Sequence, residues 1–197
     1  KAYYAKQDAE KLSGRGDTSQ KLTLMKSGAD SLKKSADALN DASLWEKKKI
    51  KKKDEKTGEE TEVEDYAWEA ITKAVKSFVE DYNGVVKDAG ESNTKDVLRN
   101  AAWMTGMTDK NSNMLAKIGI TIGKGNKLEL DEEALKKAEI SSLKTVFTGY
   151  NSFASKISQK ATGISNAANR ASATYTSNGT YANALSSMIS SKVDEEV

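Results

Sequence analysis

The chain holds no cysteine, no histidine and no proline in 197 residues. Without cysteine there is no disulfide, no thiolate nucleophile and no thiolate metal site. Without histidine the usual general base and the commonest transition-metal ligand are both missing. Zinc hydrolases and catalysts of the Ser-His or Cys-His type are excluded, and only carboxylate chemistry stays open. The lack of proline leaves the chain free to run long helices. Charge of one sign is also scarce: 31 basic and 29 acidic residues leave a net +2, which exerts no global pull on nucleic acid or anionic membrane. No hydrophobic run approaches a membrane span, and the N-terminus lacks the layout of a signal peptide. The chain opens on Lys1 rather than methionine, which points to an upstream segment that was cropped or cleaved.

What the chain does have is helical periodicity. The most regular stretch runs from Tyr66 to Gly90, where Trp68, Ile71, Val75, Phe78, Tyr82, Val85 and Ala89 step by three and four residues. That spacing places all seven on one helical stripe, with Glu69, Lys73, Lys76, Glu80 and Lys87 on the opposite face. Leu22, Met25, Ala29, Leu32, Ala36 and Leu39 repeat the pattern, and the small residues at 29 and 36 let two backbones approach. Asp17, with Gln20 three residues later, reads as a capping box opening this helix. Residues 1–12 form a weaker helical candidate that ends at Ser13-Gly14-Arg15-Gly16.

Between residues 45 and 65 the pattern changes. Six lysines between Lys47 and Lys53 are followed, past Thr57-Gly58, by Glu59, Glu60, Glu62, Glu64 and Asp65. A turn at Lys56–Gly58 makes this a hairpin with Lys53 facing Glu62 and Lys51 facing Glu64, a self-neutralising and solvated element. Beyond the long helix, Glu91-Ser92-Asn93 reads as a loop and N-cap. A stripe of Val97, Ala101, Met104, Met107 and Asn111, then Met114 or Leu115, and Ile118 follows, with a kink or break expected at Thr105-Gly106. Trp103 and the methionines are expected in the core. The alternating segments at 119–122 and 127–130, joined by Gly123-Lys124-Gly125-Asn126, predict a second hairpin within 118–130. The glycine-rich turn is no phosphate loop, since no Lys-Ser/Thr pair and no helix follow it directly. Asp131 caps the next short helix. The last long stripe takes in Tyr150, Phe153, Ile157, Ala161, Ile164, Ala168, Ala171 and Tyr175. Residues 176–197 carry a thinner stripe that includes Tyr181, Leu185, Met188 and Ile189. The expected fold is mainly α: one domain over 1–197, an elongated antiparallel helical bundle with one or two small β-hairpins and with 1–12 and 176–197 as peripheral arms.

Two of these stretches resemble a known family. Residues 75–86 read VKSFVEDYNGVV, and residues 115–147 read LAKIGITIGKGNKLELDEEALKKAEISSLKTVF. Together, within about residues 66–150, they are similar to the C-terminal half of the bacterial flagellar filament cap, hook-associated protein two. The first motif falls on Phe78, Val79, Tyr82 and Asn83. The second falls on Leu115, Gly119, Ile120, Leu128, Leu130, Asp131, Leu135 and Phe147. Nearly all are packing, turn or cap positions, so the resemblance implies an architecture. Family members insert large β-rich head domains between two helical halves, and here only the charged hairpin occupies that place. The resemblance therefore implies the helical stem of a cap protein without its head.

Several functional classes follow. The leading one is a non-enzymatic structural protein, extracellular or on the bacterial surface, assembling with itself or with flagellin-like subunits through helical termini. It implies no catalytic residue, no cofactor, no metal, no nucleic acid and no membrane insertion. The alternative is a secreted or surface adhesin for host protein or glycan, resting on Arg15, Gly16 and Asp17, the triplet that integrins read. A hydrolase using two carboxylates and a polyanion binder using Lys47–Lys53 complete the set.

Overall fold

The computed structural model describes residues 16–53 and 60–173. The helix candidate at 1–12, Arg15, the turn expected at 56–58, Tyr175 and the segment 176–197 lie outside the described residues.

Four long helices carry the fold. Helix α1 (Ser19–Asn40) buries Leu22, Met25, Ala29, Leu32, Ala36 and Leu39, the predicted stripe. A 3₁₀ turn (Ala42–Trp45) leads into the hairpin β1 (Lys47–Lys53) and β2 (Glu60–Tyr66). Helix α2 (Trp68–Gly90) buries Ile71, Val75, Phe78, Tyr82, Val85 and Ala89 and exposes the predicted polar face. Helix α3 (Lys95–Lys110) and the short α4 (Ser112–Ala116) precede a second hairpin, β3 (Ile120–Ile122) and β4 (Leu128–Leu130). Then come α5 (Glu132–Lys137), α6 (Ile140–Phe147) and the last long helix, α7 (Phe153–Ala173).

Side-chain pairs fix how the long helices lie. Ser158 Oγ donates to Asp37 and Ser165 Oγ to Asp30, each at 2.6 Å, so α7 runs antiparallel to α1. Lys21 Nζ donates to the Glu91 carbonyl, and Gly28 sits beside Val85, so α2 also runs antiparallel to α1. Tyr82 meets Thr108, Lys160 meets Trp103, and Arg170 meets Asp96, which makes α3 antiparallel to both α2 and α7. The result is an up-down-up-down bundle. Helix α3 walls only part of α2; farther along, β4 and α5 take over, through Asn83 to Leu128 and Lys76 to Glu132.

The core centres on an aromatic cluster. Phe78 meets Phe147 and Phe153 edge-on at 6.1 Å, and Trp45 stacks on Phe147 at 5.7 Å. Such pairs contribute about 0.5–1.5 kcal/mol each beyond their buried area. Trp45 is fully buried, and its Nε1 donates to the Leu39 carbonyl at 2.8 Å. The chain is thus pinned before the charged hairpin begins.

Several expectations are corrected. Thr18, not Asp17, is the N-cap of α1, accepting from the Lys21 amide at 3.2 Å. The N-cap of α3 is Thr94, one residue beyond the Glu91-Ser92-Asn93 segment expected to supply it. Helix α3 passes through Thr105-Gly106 unbroken and ends at Lys110. One glycine costs a helix only about 1 kcal/mol against alanine, and Met104, Met107 and Thr108 are buried around it. Trp103 is 57% exposed, since it lies out of phase with the inward stripe of Val97, Ala101, Met104 and Thr108. Tyr150 is 83% exposed. Gly149, at φ 102°, turns the chain there, and α7 starts only at Phe153, with Ser152 Oγ accepting from the Ser155 amide. In the charged hairpin Lys53 faces Glu60 and Lys51 faces Glu62, two residues away from the expected register. The observed register sets Ile50 opposite Val63, half-buried on one face, where the expected one would set Ile50 against Asp65.

Candidate interaction surfaces

The residues that carry the family resemblance converge on one region, where α2 meets the second hairpin. Phe78 and Tyr82 face inward from α2 because they lie on its apolar stripe, and Val79, beside that stripe, is buried with them. Asn83 lies one residue on and uses its amide as a backbone mimic. Its Nδ2 donates to the Leu128 carbonyl at 2.8 Å, and its Oδ1 accepts from the Leu128 amide at 2.7 Å. The hairpin is therefore held to the helix by a side chain acting as a third strand. Leu115, Ile120, Leu128 and Leu135 are buried, Leu130 is half-buried opposite Ile120, and Phe147 closes the aromatic cluster.

Gly119 is required by its surroundings. Its φ is +80°, and a Cβ there would lie 2.7 Å from the Asp131 carbonyl oxygen and 2.9 Å from the Leu135 nitrogen. Asp131 answers from the other side: its amide donates to the Gly119 carbonyl at 2.8 Å, and its Oδ1 accepts from the amides of Glu133 and Ala134. Tyr82 is buried, and its hydroxyl donates to Thr108 Oγ1 at 2.8 Å. Burial raises the phenol to about 12, against the smaller opposing effect of Thr108. It serves as a neutral buried donor, not a base.

The Arg15-Gly16-Asp17 triplet has a different fate. Asp17 is 5% exposed. Its carboxylate accepts from Ser92 Oγ at 2.6 Å, from the Asn93 and Thr94 amides at 3.0 Å and from Thr94 Oγ1 at 2.7 Å, with Lys21 Nζ at 3.2 Å. It caps the loop between α2 and α3 instead of its own helix. Burial raises the carboxyl, but the hydrogen bonds from Ser92, Thr94, Asn93 and Lys21 together outweigh it and hold the group at about 2. A receptor that reads this triplet needs the carboxylate at the surface, and here it is spent inside. Sequence reasoning missed Ser92 and Thr94 as its partners. It also missed the Asp30–Ser165 and Asp37–Ser158 pairs, although the seven-residue spacing within each set was visible in the sequence.

Two exposed surfaces stand out. On α3, the Trp103 ring lies 4.0 Å beneath the Lys160 ammonium, and a hollow of about 230 Å³ beside it is lined by Ala102, Gly106, Met107 and Lys110, without a carboxylate. The other is the charged hairpin, where Lys47, Lys48, Lys49 and Lys51 stand exposed on β1 and Glu60, Glu62 and Glu64 on β2. Among the described residues no three acidic side chains gather as a metal-holding group, and no helix is long and apolar enough to cross a membrane.

The model of the family described as the flagellar hook-associated protein 2 C-terminus matches residues 88–195. That is more than half of the chain. The chain belongs to this family. The match takes in the whole of the Leu115–Phe147 segment and all of α3 and α7, while α1, the charged hairpin and most of α2 precede it. Membership carries a flagellum-associated, cap-like structural role. No curated protein and no solved structure matches the chain.

Proposed function

We propose that this chain is a non-enzymatic assembly module of the flagellar cap type, working outside the cell. It acts by helix–helix contact with protein partners, either further copies of itself or flagellin-like subunits, through the segments flanking its bundle. One observation carries the reading beyond family membership. Because α1 and α7 are antiparallel, the start of α1 at Ser19 and the end of α7 at Ala173 lie at the same end of the bundle. Residues 1–15 and 174–197 therefore leave from one place, where a partner can take both at once. In the second of these segments Leu185 and Ile189 stand four residues apart in sequence, the spacing that one face of a helix would need.

The test keeps the full chain and changes that pair. Leu185→Glu with Ile189→Glu is expected to abolish self-association and flagellin binding in sedimentation velocity, while the thermal midpoint of the bundle stays unchanged. Wild-type assembly by the doubly substituted chain would overturn the reading.

A further inference from the structure

The charged hairpin has two edges of opposite sign, and among the described residues no third strand pairs with either. Among the described residues, strands β1 and β2 form a two-stranded sheet in which each pairs with the other alone. The sequence of β1 is KKKIKKK, and that of β2 is ETEVEDY. One edge is accordingly basic and the other acidic, on a ribbon where Lys47, Lys48, Lys49, Lys51, Glu60, Glu62 and Glu64 are exposed. Within the ribbon Lys49 faces Glu64, Ile50 faces Val63 and Lys51 faces Glu62.

We propose that this ribbon is a head-to-tail self-assembly surface, in which the β1 edge of one copy of this chain pairs with the β2 edge of the next. Backbone pairing supplies the contact, as in any strand added to a free edge. Charge decides which edge is taken. Two β1 edges would set lysine against lysine and two β2 edges glutamate against glutamate, both unfavourable across strands. Unlike edges set lysine against a carboxylate at four of the seven rows, Lys48 with Asp65, Lys49 with Glu64, Lys51 with Glu62 and Lys53 with Glu60. The register of the hairpin itself, carried across the junction, flanks Lys49 by Glu64 on both sides and Lys51 by Glu62 on both sides. It also keeps Ile50 and Val63 in one aliphatic row, and the sheet stays antiparallel throughout.

Edge lysines usually act to keep strands apart. Here that block is one-sided, since β1 repels a basic strand but not the acidic edge its own hairpin carries. The same acidic strand, about 5 Å away, weakens β1 as a site for nucleic acid or anionic lipid. Contacts between unlike edges are heterologous, so they generate a ring or a filament and never a twofold dimer. This surface is separate from the terminal segments, and its test reads separately from theirs.

The chain has no cysteine of its own, which makes the test direct. Full-length Lys49→Cys and full-length Glu64→Cys are prepared separately, mixed and oxidised. A disulfide between them can form only between copies. The expected result is a 49–64 link at least about tenfold faster than the 49–49 or 64–64 link, the direction that charge complementarity dictates. Its rate should fall several-fold in 0.5 M salt, where unlike-charge attraction is screened over about 4 Å. A control pair of Lys73→Cys chains, substituted on the exposed face of α2, sets the collisional background. Dominant 49–49 or 64–64 links, or no link above that background, would overturn the proposal even where the chain assembles through its termini. So would saturable heparin binding to β1 without a 49–64 link.

Discussion

At the scale of single residues, Asp17 shows how one carboxylate can hold a loop distant from it in the chain. Its oxygens satisfy the Asn93 and Thr94 amides at the start of α3, although it lies more than seventy residues earlier in the chain. Asp17→Asn keeps the shape but removes the charge and one acceptor. The expected cost is about 2–3 kcal/mol at neutral pH, from lost charged hydrogen bonds in a buried place. The pH dependence has a definite sign. A carboxyl held lower in the folded chain than in the unfolded one stabilises fully above its unfolded value and loses that stabilisation as pH falls. For Asp17 the window runs from its ordinary 3.8 down to about 2, and the acid limb of a stability curve should flatten there in the variant. Gly119→Ala is expected to cost more than the roughly 1–3 kcal/mol of a left-handed non-glycine residue, since the added Cβ also meets the Asp131 carbonyl at 2.7 Å. A urea melt measures it. The sequence offered Asp17 and Gln20 at capping-box spacing, and that local pattern misled. Local signals state what a side chain can do, whereas its choice among partners is made by residues brought in from afar.

At the scale of elements, legibility followed periodicity. The stripes of α1 and α2 could be read residue by residue, because a helix with one wet face must alternate by three and four. Trp103 was misplaced because a large hydrophobic residue was assumed to be inside, whatever its phase, and Tyr150 because its stripe was extended ahead of Phe153, where α7 starts. The charged hairpin was legible as a hairpin but not in register. Its register depends on one aliphatic pair, Ile50 with Val63, and on where Trp45 anchors the chain. A prediction separates anchor from ribbon. Replacing residues 47–65 by a short Gly-Ser loop should leave the thermal midpoint little changed, since Lys47, Lys48, Lys49, Lys51, Glu60, Glu62 and Glu64 are exposed and exposed ion pairs contribute about 0–1 kcal/mol each. Trp45→Ala, two residues before that ribbon, should cost about 3–5 kcal/mol, the range for an emptied aromatic core site. Similar losses from the two changes in a calorimetric scan would show that the ribbon is part of the core after all.

At the scale of the molecule, the family match and the core do not have the same limits. The match begins at residue 88, in the last turn of α2. The core does not. Phe147 and Phe153, inside the match, pack on Trp45 and Phe78, outside it. Helix α7 is tied to α1 through Ser158–Asp37 and Ser165–Asp30, across more than a hundred residues of chain. The matched segment taken alone would leave bare the side of α7 that carries Ser158 and Ser165 and the side of the second hairpin that carries Leu128. A fully buried aliphatic side chain contributes roughly 1.5–3 kcal/mol relative to exposure, and a domain's whole stability is about 5–15 kcal/mol. Stripping two of four walls removes many such side chains from cover at once. A fragment starting at Asp88 is therefore expected to show helical circular dichroism without a cooperative melt, and to gain one when residues 1–87 are supplied as a separate chain. A cooperative melt of the 88–197 fragment alone would mean that α1 and α2 are additions to a self-sufficient unit, and the two-residue contacts described here would be ornament on it rather than its walls.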